Sequence, residues 1–180
     1  MVSARKILSL DKSVINEIDR ETYDTPLLAA IQNNQYDMVK LLLDSGAEVN
    51  KKNSFGINPL NRASAAGYEN IAKLLLSRSA NVDLIDKNGW TPLFYAAVNG
   101  HLEIIKILLT KGANINKRDN DGWTPLYLTV KNGNSNVKEV VQLLITNGAD
   151  VNIPDKTGRT IVQLAKQENK MEIVSILRGK

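Results

Sequence analysis

The chain has 180 residues, and its hydrophobic content of 43% is enough for a continuous core. It contains no cysteine and one histidine, which excludes disulfides, thiolate metal sites and metal sites built from several histidines. The net charge of +4 is unevenly placed: residues 1–50 carry five Lys/Arg against eight Asp/Glu, whereas residues 51–180 carry 18 against 11.

A Thr-Pro-Leu motif recurs at a fixed spacing along the chain. Copies begin at Thr25, at Asn58 (where Asn replaces Thr), at Thr91 and at Thr124, each 33 residues after the last. A degenerate copy begins at Thr160. A period in this range is typical of solenoids, in which each unit packs mainly against its neighbours. The sequence therefore predicts one elongated array, and a function in binding rather than in catalysis.

Residues 84–116 show how one unit begins. Asp86-Lys-Asn-Gly89 is predicted to form a tight turn, in which Gly89 supplies a positive φ and Asp86 accepts a local backbone hydrogen bond. Thr91 is predicted to be a helix N-cap, with Pro92 at the first helical position, where its missing N–H costs nothing.

The remainder of this unit is predicted to form two short helices and then an extended stretch that leads into the next turn, which we call the return segment. The first helix ends at Gly100, and the second runs from His101 to Leu109 with an apolar stripe. Gly112 is expected to end the second helix in the left-handed conformation, before an extended return. Each helix is shorter than the ~12–15 residues needed for stability alone in water, so stacking must supply the stability.

This unit resembles the ankyrin repeat: β-turn, helix, loop, helix and extended return. The resemblance rests on Asp-x-x-Gly-x-Thr-Pro-Leu, the Ala96-Ala97 pair, Asn99-Gly-His-Leu-Glu-Ile-Ile105 and Gly112-Ala-Asn-Ile-Asn116. It implies an all-α ankyrin-repeat solenoid of stacked antiparallel helix pairs with projecting β-turn hairpins. Residues 1–180 are then a single array, predicted to comprise an N-terminal partial repeat at 1–19, units 1 to 4 at 20–52, 53–83, 84–116 and 117–152, and a C-terminal capping repeat, unit 5, at 153–180.

Several positions depart from the ankyrin pattern. The family usually has a histidine after Thr-Pro-Leu, which forms hydrogen bonds between units. Packing is expected to replace those bonds at Leu28 and Phe94. Unit 2 departs furthest and is expected to be locally the least stable. Its Arg62 stands at a usually apolar position, and its Ser79 replaces the capping glycine at a cost of roughly 1–2 kcal/mol. Sequence erosion and a functional role both remain open for these departures.

Unit 4 is three residues longer than the other units. The extra residues, within 132–136, predict a longer surface loop between its two helices.

The resemblance implies that partners bind through the hairpin tips and a concave groove lined by the first helices. The residue before the Thr (Asn in unit 2) of each unit should line up with its equivalents along this groove. We call these five residues the ladder: Asp24, Ile57, Trp90, Trp123 and Arg159. Trp90 and Trp123 are the proposed centre of the site, because tryptophan is enriched at binding hot spots. Packing between hairpins is the alternative reading for both. The candidate partner-binding residues are Phe55, Ile57, Lys87, Trp90, Asn120, Asp121, Trp123, Lys131, Asn132, Lys156 and Arg159, and the ladder also includes Asp24.

Catalytic and cofactor motifs are not found in the sequence. Asp119-Asn-Asp121-Gly resembles the start of a calcium loop, but such a loop needs Gly at its sixth position and Glu at its twelfth, where this chain has Thr124 and Val130. No phosphate-binding loop or nucleophile elbow occurs. His101 opens a helix and is interpreted as structural. We therefore expect no enzymatic activity, no metal and no cofactor.

The leading functional hypothesis is a non-enzymatic protein–protein interaction module with an unidentified protein partner. The alternative is a nucleic-acid or polyanion binder that uses the basic residues of 51–180. It is less favoured because those residues are dispersed and do not alternate with aromatic residues. A scaffold role within a larger assembly is a third reading. No apolar run is long enough for a signal peptide or a membrane span, so a soluble, cytoplasmic protein without membrane contact is expected. A monomer is expected because both ends of the array are predicted to be capped.

Overall fold

The computed structural model describes residues 14–133 and 135–179. Within these ranges the chain forms ten α-helices and no β-strand, which confirms the predicted all-α class. The helices, two to each unit, are α1 Pro26–Gln32, α2 Tyr36–Asp44, α3 Pro59–Ala66, α4 Glu69–Ser77, α5 Pro92–Asn99, α6 Leu102–Thr110, α7 Pro125–Asn132, α8 Val137–Thr146, α9 Ile161–Gln167 and α10 Met171–Arg178.

The helices stack in two layers. The first helices of the units pack in the order α1, α3, α5, α7 and α9, and the second helices pack in the order α2, α4, α6, α8 and α10. Each helix also packs against the other helix of its own unit. The described chain is therefore a stack of helical hairpins, in which the helix contacts join neighbouring units.

A continuous apolar core runs between the two layers. Equivalent residues of successive units are at most 4% exposed, both in the first helices and in the second. Full burial of one such leucine contributes about 1.5–3 kcal/mol, so the repeated columns supply stability that a single short helix lacks. The buried columns are Leu27, Leu60, Leu93, Leu126 and Ile161 in the first helices, and Leu42, Leu75, Leu108, Leu144 and Leu177 in the second.

Hydrogen-bonding caps begin most of the first helices. The side chains of Thr25, Asn58, Thr124 and Thr160 each accept a backbone N–H from the third residue of the helix. Thr91 is the N-cap of α5, as predicted, but its side chain accepts no capping hydrogen bond, and the Phe94 N–H donates instead to the Thr91 backbone carbonyl at 3.1 Å. The buried Thr91 Oγ1 consequently lacks a partner among the described residues.

The positions that replace the family histidine differ in their surroundings. Leu28 and Phe94 are fully buried, which confirms the prediction that packing substitutes for a hydrogen bond there. Tyr127 is also buried, and its hydroxyl donates to Asp155 in the next unit. Asn61 is fully buried, yet neither polar atom of its side chain has a partner within the described residues. Unit 2 therefore carries a desolvated amide that the other units avoid.

Residues at the start of the second helix link units 3 and 5 to the units before them. The His101 ring nitrogen Nε2 lies 3.0 Å from the carbonyl oxygen of Ala65, near the end of α3. Lys170 reaches back in the same way and donates to the carbonyl oxygen of Val130 in α7. These bonds satisfy carbonyl groups at helix ends that lack an intrahelical partner. The structural interpretation of His101 agrees with this contact.

The return segments form a second set of links. Asn50 Oδ1 accepts the Asn81 N–H at 2.9 Å, and Asn116 Oδ1 accepts the Asp150 N–H at 2.9 Å. Asp83 accepts the Asn114 N–H in the same way, and Asn16 accepts the Glu48 N–H. Residues 1–13 of the predicted partial repeat lie outside the described residues. Asn16 lies at the end of that partial repeat. Its contact with the following unit is the same one that Asn50, Asp83 and Asn116 make in units 1 to 3.

Candidate partner-binding surface

An Asp or Asn in each hairpin from unit 2 onward fixes the ladder residue that follows it. One side-chain oxygen of Asn53, Asp86, Asp119 and Asp155 accepts two backbone N–H groups at 2.8–3.0 Å, and the second N–H belongs to the ladder residue. The predicted role of Asp86 as a turn acceptor is confirmed. The ladder residues held in this way are Ile57, Trp90, Trp123 and Arg159.

Asp119 joins the two tryptophans of adjacent units. Its Oδ1 accepts the backbone N–H of Trp123 at 2.9 Å, and its Oδ2 accepts the indole Nε1–H of Trp90 at 3.0 Å. The carboxylate is buried between the two hairpins. Since a buried carboxylate needs such donors, both tryptophans are held in position by the same group.

Trp90 packs against two aromatic rings of its own unit. Phe94 lies nearly parallel to it at a centroid distance of 6.0 Å, and Tyr95 meets it edge-on at 5.3 Å. The Tyr95 hydroxyl donates to Asp86 Oδ2 at 2.7 Å, which fixes that ring as well. Burial raises the pKa of Tyr95, and the hydrogen bond to Asp86 raises it further. Trp90 and Tyr95 remain partly exposed in this rigid cluster.

Trp123 combines an aromatic contact with a cationic one. Its ring is nearly parallel to that of Tyr127 at a centroid distance of 6.1 Å, and the ammonium of Lys131 lies 3.6 Å from its ring centroid. A cation over an indole face is attracted by the quadrupole of the ring. We call Trp90, Tyr95, Asp119, Trp123 and Lys131 the tryptophan strip.

A neutralised ion pair lies on the N-terminal side of the strip. The Arg62 guanidinium binds both carboxylate oxygens of Asp24, at 2.6 and 3.1 Å, and also reaches Gln32 at 3.2 Å. Asn53 donates to the same carboxylate at 2.8 Å. The unusual Arg62 of unit 2 is thus compensated by the acidic ladder residue of unit 1.

A second ion pair lies on the C-terminal side. Arg159 contacts Asp155 at 3.2 Å, the Tyr127 hydroxyl at 3.0 Å and Gln167 at 2.9 Å. Burial alone would raise the pKa of Asp155, but hydrogen bonds from the hydroxyls of Thr157 and Tyr127 and from backbone N–H groups hold it well below its usual value. Burial, reinforced by the bond to Asp155, raises the pKa of Tyr127 to about 12. The bond to the Tyr127 hydroxyl raises the pKa of Arg159.

Three of the candidate tip residues form hydrogen bonds between hairpins. Lys87 Nζ donates to the Ser54 carbonyl at 2.6 Å, and Asn120 Nδ2 donates to the Lys87 carbonyl at 2.8 Å. Lys156 Nζ donates to the Asn120 carbonyl. These side chains hold neighbouring tips together, an internal role that the sequence analysis did not anticipate.

The other candidates lie at the margins of the strip. Phe55 is 58% exposed and meets the ring of Tyr23 edge-on at 5.8 Å. Ile57 is partly exposed, and Asp121 and Asn132 are exposed. Of the candidates, Trp90, Trp123 and Lys131 therefore lie in one contact network, with Arg159 joined to it through Tyr127.

Sequence reasoning did not identify Tyr95 or Asp119 as parts of this surface. Tyr95 lies five residues after its ladder residue Trp90, at the position that Arg62 occupies relative to Ile57. Arg62 binds the carboxylate of the ladder residue Asp24, and Tyr95 binds Asp86, which holds the ladder residue Trp90. Comparing this position across units would have indicated a column of side chains directed at the ladder.

Several basic side chains that the polyanion alternative relies on are paired internally. Arg78 binds Asp44 at 2.7 Å, Lys106 binds Glu103 at 2.6 Å and Lys138 binds Glu172, in addition to the pairs of Arg62 and Arg159. Within residues 14–133 and 135–179, no cluster of three or more His, Asp or Glu could hold a metal ion. No helix in the same ranges has the length and apolar character to cross a membrane.

Comparison with known proteins identifies the family. The chain matches the ankyrin-repeat family in three overlapping stretches, residues 27–119, 60–155 and 115–180. The chain therefore belongs to the ankyrin-repeat family. Ankyrin repeats are generally protein–protein interaction modules, and the family is generally non-enzymatic.

Individual relatives match shorter stretches. Alpha-latrotoxin-Lg1a of Latrodectus geometricus is 47% identical over 57 residues, which are 32% of this chain and 4% of the toxin. A putative ankyrin repeat protein of Rickettsia bellii is 44% identical over 46 residues, 26% of this chain and 19% of the relative. Ankyrin repeat protein OPG189 of Vaccinia virus is 42% identical over 52 residues, 29% of this chain and 9% of the relative. The matches thus cover less than a fifth of each relative.

Proposed function

We propose that this protein is a non-enzymatic binding module that recognises a protein partner through the tryptophan strip. The observation that carries the proposal is that one buried carboxylate, Asp119, holds both tryptophans: it accepts the indole N–H of Trp90 and the backbone N–H of Trp123, whose ring packs against Tyr127 and Lys131. Side chains already held in their bound orientation lose little conformational entropy on association, so more of the contact energy appears as affinity. Large, rigid and partly exposed aromatic rings are therefore suited to anchor a partner.

The surroundings of the strip support the same proposal. Binding hot spots are usually tryptophan, tyrosine or arginine side chains near the centre of a contact, encircled by groups that contribute little. Here the Asp24–Arg62 and Asp155–Arg159 pairs flank the aromatic cluster. Because both pairs are already satisfied internally, a partner covering the centre need not neutralise an isolated charge at either side. We further propose that the protein is a cytoplasmic monomer that works without a cofactor.

The test is affinity capture from cells that produce the protein, followed by affinity measurement with the purified partner. Replacing Trp90 and Trp123 together by alanine should weaken binding at least about 30-fold, since truncating a hot-spot residue costs about 2 kcal/mol or more. The matched control is Tyr36→Ala, which removes a partly exposed aromatic ring from α2, outside the strip. A partner that binds the folded double variant as tightly as the wild type would refute the proposal.

A further inference from the structure

The charges along the strip are unequally compensated. The ladder acid Asp24 is paired with Arg62, and Asp155 is paired with Arg159. Asp119 accepts hydrogen bonds from the backbone N–H groups of Asp121 and Trp123 and from the indole of Trp90. Each of these carboxylates is therefore satisfied within the protein and offers little to a cationic partner.

Lys131 differs from these groups. Its ammonium lies over the ring of Trp123, and no carboxylate of the described residues comes within salt-bridge distance of it. The side chain is only partly exposed, so its charge is partly removed from water beside an aromatic surface. Asp121 is exposed at the hairpin tip of unit 4, at the margin of the strip, so the uncompensated charge within the strip itself is that of Lys131.

The opposite end of the strip is apolar. Trp90, Tyr95 and the partly exposed Val98, three residues further along α5, present carbon surface, and Ile57 continues this surface into unit 2. Surface chemistry within the strip therefore changes along the array, from apolar at Trp90 and Tyr95 of unit 3 to cationic at Lys131 of unit 4. A partner that fits must carry the complementary order of groups.

We infer that the strip binds a short acidic peptide segment, whose apolar side chains lie against Trp90 and Tyr95 and whose Asp or Glu side chain pairs with Lys131. This inference rests on the proposed function and names the partner chemistry of the same site. The pairing replaces water around Lys131 with a carboxylate next to the indole of Trp123. Lys131 acts as the residue that determines specificity, whereas the tryptophans supply affinity.

The aromatic contacts favour a peptide over a nucleic acid. Single-stranded nucleic acids bind by stacking bases on open aromatic faces. A base that stacked on Trp123 at the position of Lys131 would displace the ammonium from the ring, and Trp90 already has Phe94 parallel to it. Apolar side chains can instead contact the partly exposed edges of the indoles without rearranging the cluster.

The experiment is selection of a phage-displayed library of random dodecapeptides on the purified 180-residue protein and on its Lys131→Glu variant. The wild type should enrich peptides in which Asp or Glu follows apolar residues, and Lys131→Glu should shift the enriched charge to Lys or Arg. A wild-type peptide should bind Lys131→Glu about tenfold more weakly, because an attractive contact becomes a repulsive one. Lys73→Glu, at an exposed position on α4, is the control for the same change in net charge and should leave the selection unaltered.

The outcomes separate this inference from the proposed function. One outcome is that the enriched peptides need Trp90 and Trp123 for binding but show no excess of Asp or Glu, or bind Lys131→Glu as tightly as the wild type. That outcome overturns the inference of an acidic segment and leaves the proposed binding function standing. Failure to enrich any peptide also overturns it, while the capture experiment decides the proposed function independently. A single-stranded DNA oligonucleotide can be tested in the same way. If it binds in preference to peptides, with a steep dependence on salt, and Lys131→Glu abolishes this binding, then Lys131 contacts a nucleic acid and the peptide inference is overturned.

Discussion

Ser79 occupies a backbone conformation that disfavours any side chain. Its φ of +64° matches the left-handed glycines that end the second helices of the other units, Gly46, Gly112 and Gly148. The serine was predicted to replace a capping glycine, and its positive φ confirms that role. A left-handed residue with a Cβ costs roughly 1–2 kcal/mol, so unit 2 carries backbone strain at this helix end, where units 1, 3 and 4 have glycine.

We predict that Ser79→Gly raises the free energy of unfolding by about 1 kcal/mol, measured by urea denaturation followed by circular dichroism. The reciprocal change Gly112→Ser should lower it by a similar amount. A Cβ at Gly112 meets no atom within 4 Å, so this control reports backbone strain without a steric clash. Equal stability of the two variants would contradict this account.

Asn61 gives a second prediction for unit 2. Its amide is buried without hydrogen-bond partners among the described residues, and an unsatisfied buried polar group costs about 1–3 kcal/mol. We expect Asn61→Leu, which copies Leu28 of unit 1 at the equivalent position, to raise the midpoint of urea unfolding. Ser64→Ala, which removes a second buried hydroxyl without a partner from α3, should act in the same direction. Destabilisation by both variants would indicate that these groups are satisfied, for example by bound water.

Residue-level inference from the sequence succeeds where one unit determines the outcome. Asp86 and Ser79 were assigned correctly, because a turn and a helix end depend on local φ and on neighbouring N–H groups. The ion pair of Arg62 and the tip bond of Lys87 join residues more than 30 positions apart, so they depend on how two units are juxtaposed. The period predicts that units stack, but it does not predict which side chain meets which carbonyl.

At the scale of helices, α7 is tied to unit 5 by a compact hydrogen-bonded group. Tyr127 on α7 donates to Asp155, and Arg159 contacts both. Burial and the hydrogen bond to Asp155 raise the folded-state pKa of Tyr127 from its ordinary value of 10.0 to about 12. The stability contributed by this tyrosine is therefore complete below about pH 10 and is lost as the pH rises towards 12. The lowered pKa of Asp155 acts oppositely, contributing stability that is lost as the pH falls below its usual range.

We predict that Tyr127→Phe lowers stability at neutral pH by about 1–2 kcal/mol and flattens the loss of stability between about pH 10 and 12. Urea denaturation at a series of pH values, with tyrosine ionisation followed by ultraviolet absorbance, measures both effects. Tyr36→Phe, at a partly exposed tyrosine of α2, controls for general alkaline effects. An alkaline profile of Tyr127→Phe that parallels the wild type would show that Tyr127 contributes nothing there.

The helix pairs themselves were predictable because their signals lie within each unit. Pro at the first helical position begins α1, α3, α5 and α7, as the motif predicts. The longer connection of unit 4 was also expected, since α7 ends at Asn132 and α8 begins at Val137. The Lys170 bond to α7 was missed, because a lysine in a polar terminal unit gives no sequence signal that its ammonium binds a carbonyl 40 residues earlier.

For the whole molecule, stability should vary along the axis. In a linear stack, an internal unit is stabilised by two interfaces and a terminal unit by one. Within the part of the chain that the structure describes, α5 and α6 have units on both sides, whereas α9 and α10 contact one other unit, unit 4. We predict that amides of α9 and α10 exchange hydrogen at least about tenfold faster than those of α5 and α6, measured by mass spectrometry at peptide resolution.

The exchange experiment can also test the strain in unit 2. Ser79→Gly should slow exchange in the adjacent α4 more than in the distant α8, because the substitution acts next to the former. Uniform exchange across all units, unaffected by position, would indicate that the array opens only in one cooperative step. The description of the stack as a sum of units and interfaces would then be wrong.

The return-segment bonds have a consequence for how such a chain can lengthen in evolution. Each accepting side chain, such as Asn50 or Asn116, receives a backbone N–H, which almost any residue of the following unit supplies. A tandem duplication of residues 84–116 would place Asn116 opposite the copied Asn114 N–H, and Trp90 opposite the copied Asp86 in place of Asp119. Both new junctions would reuse existing chemistry. Whole-repeat insertion thus extends the aromatic surface by one more tryptophan without requiring any compensating mutation.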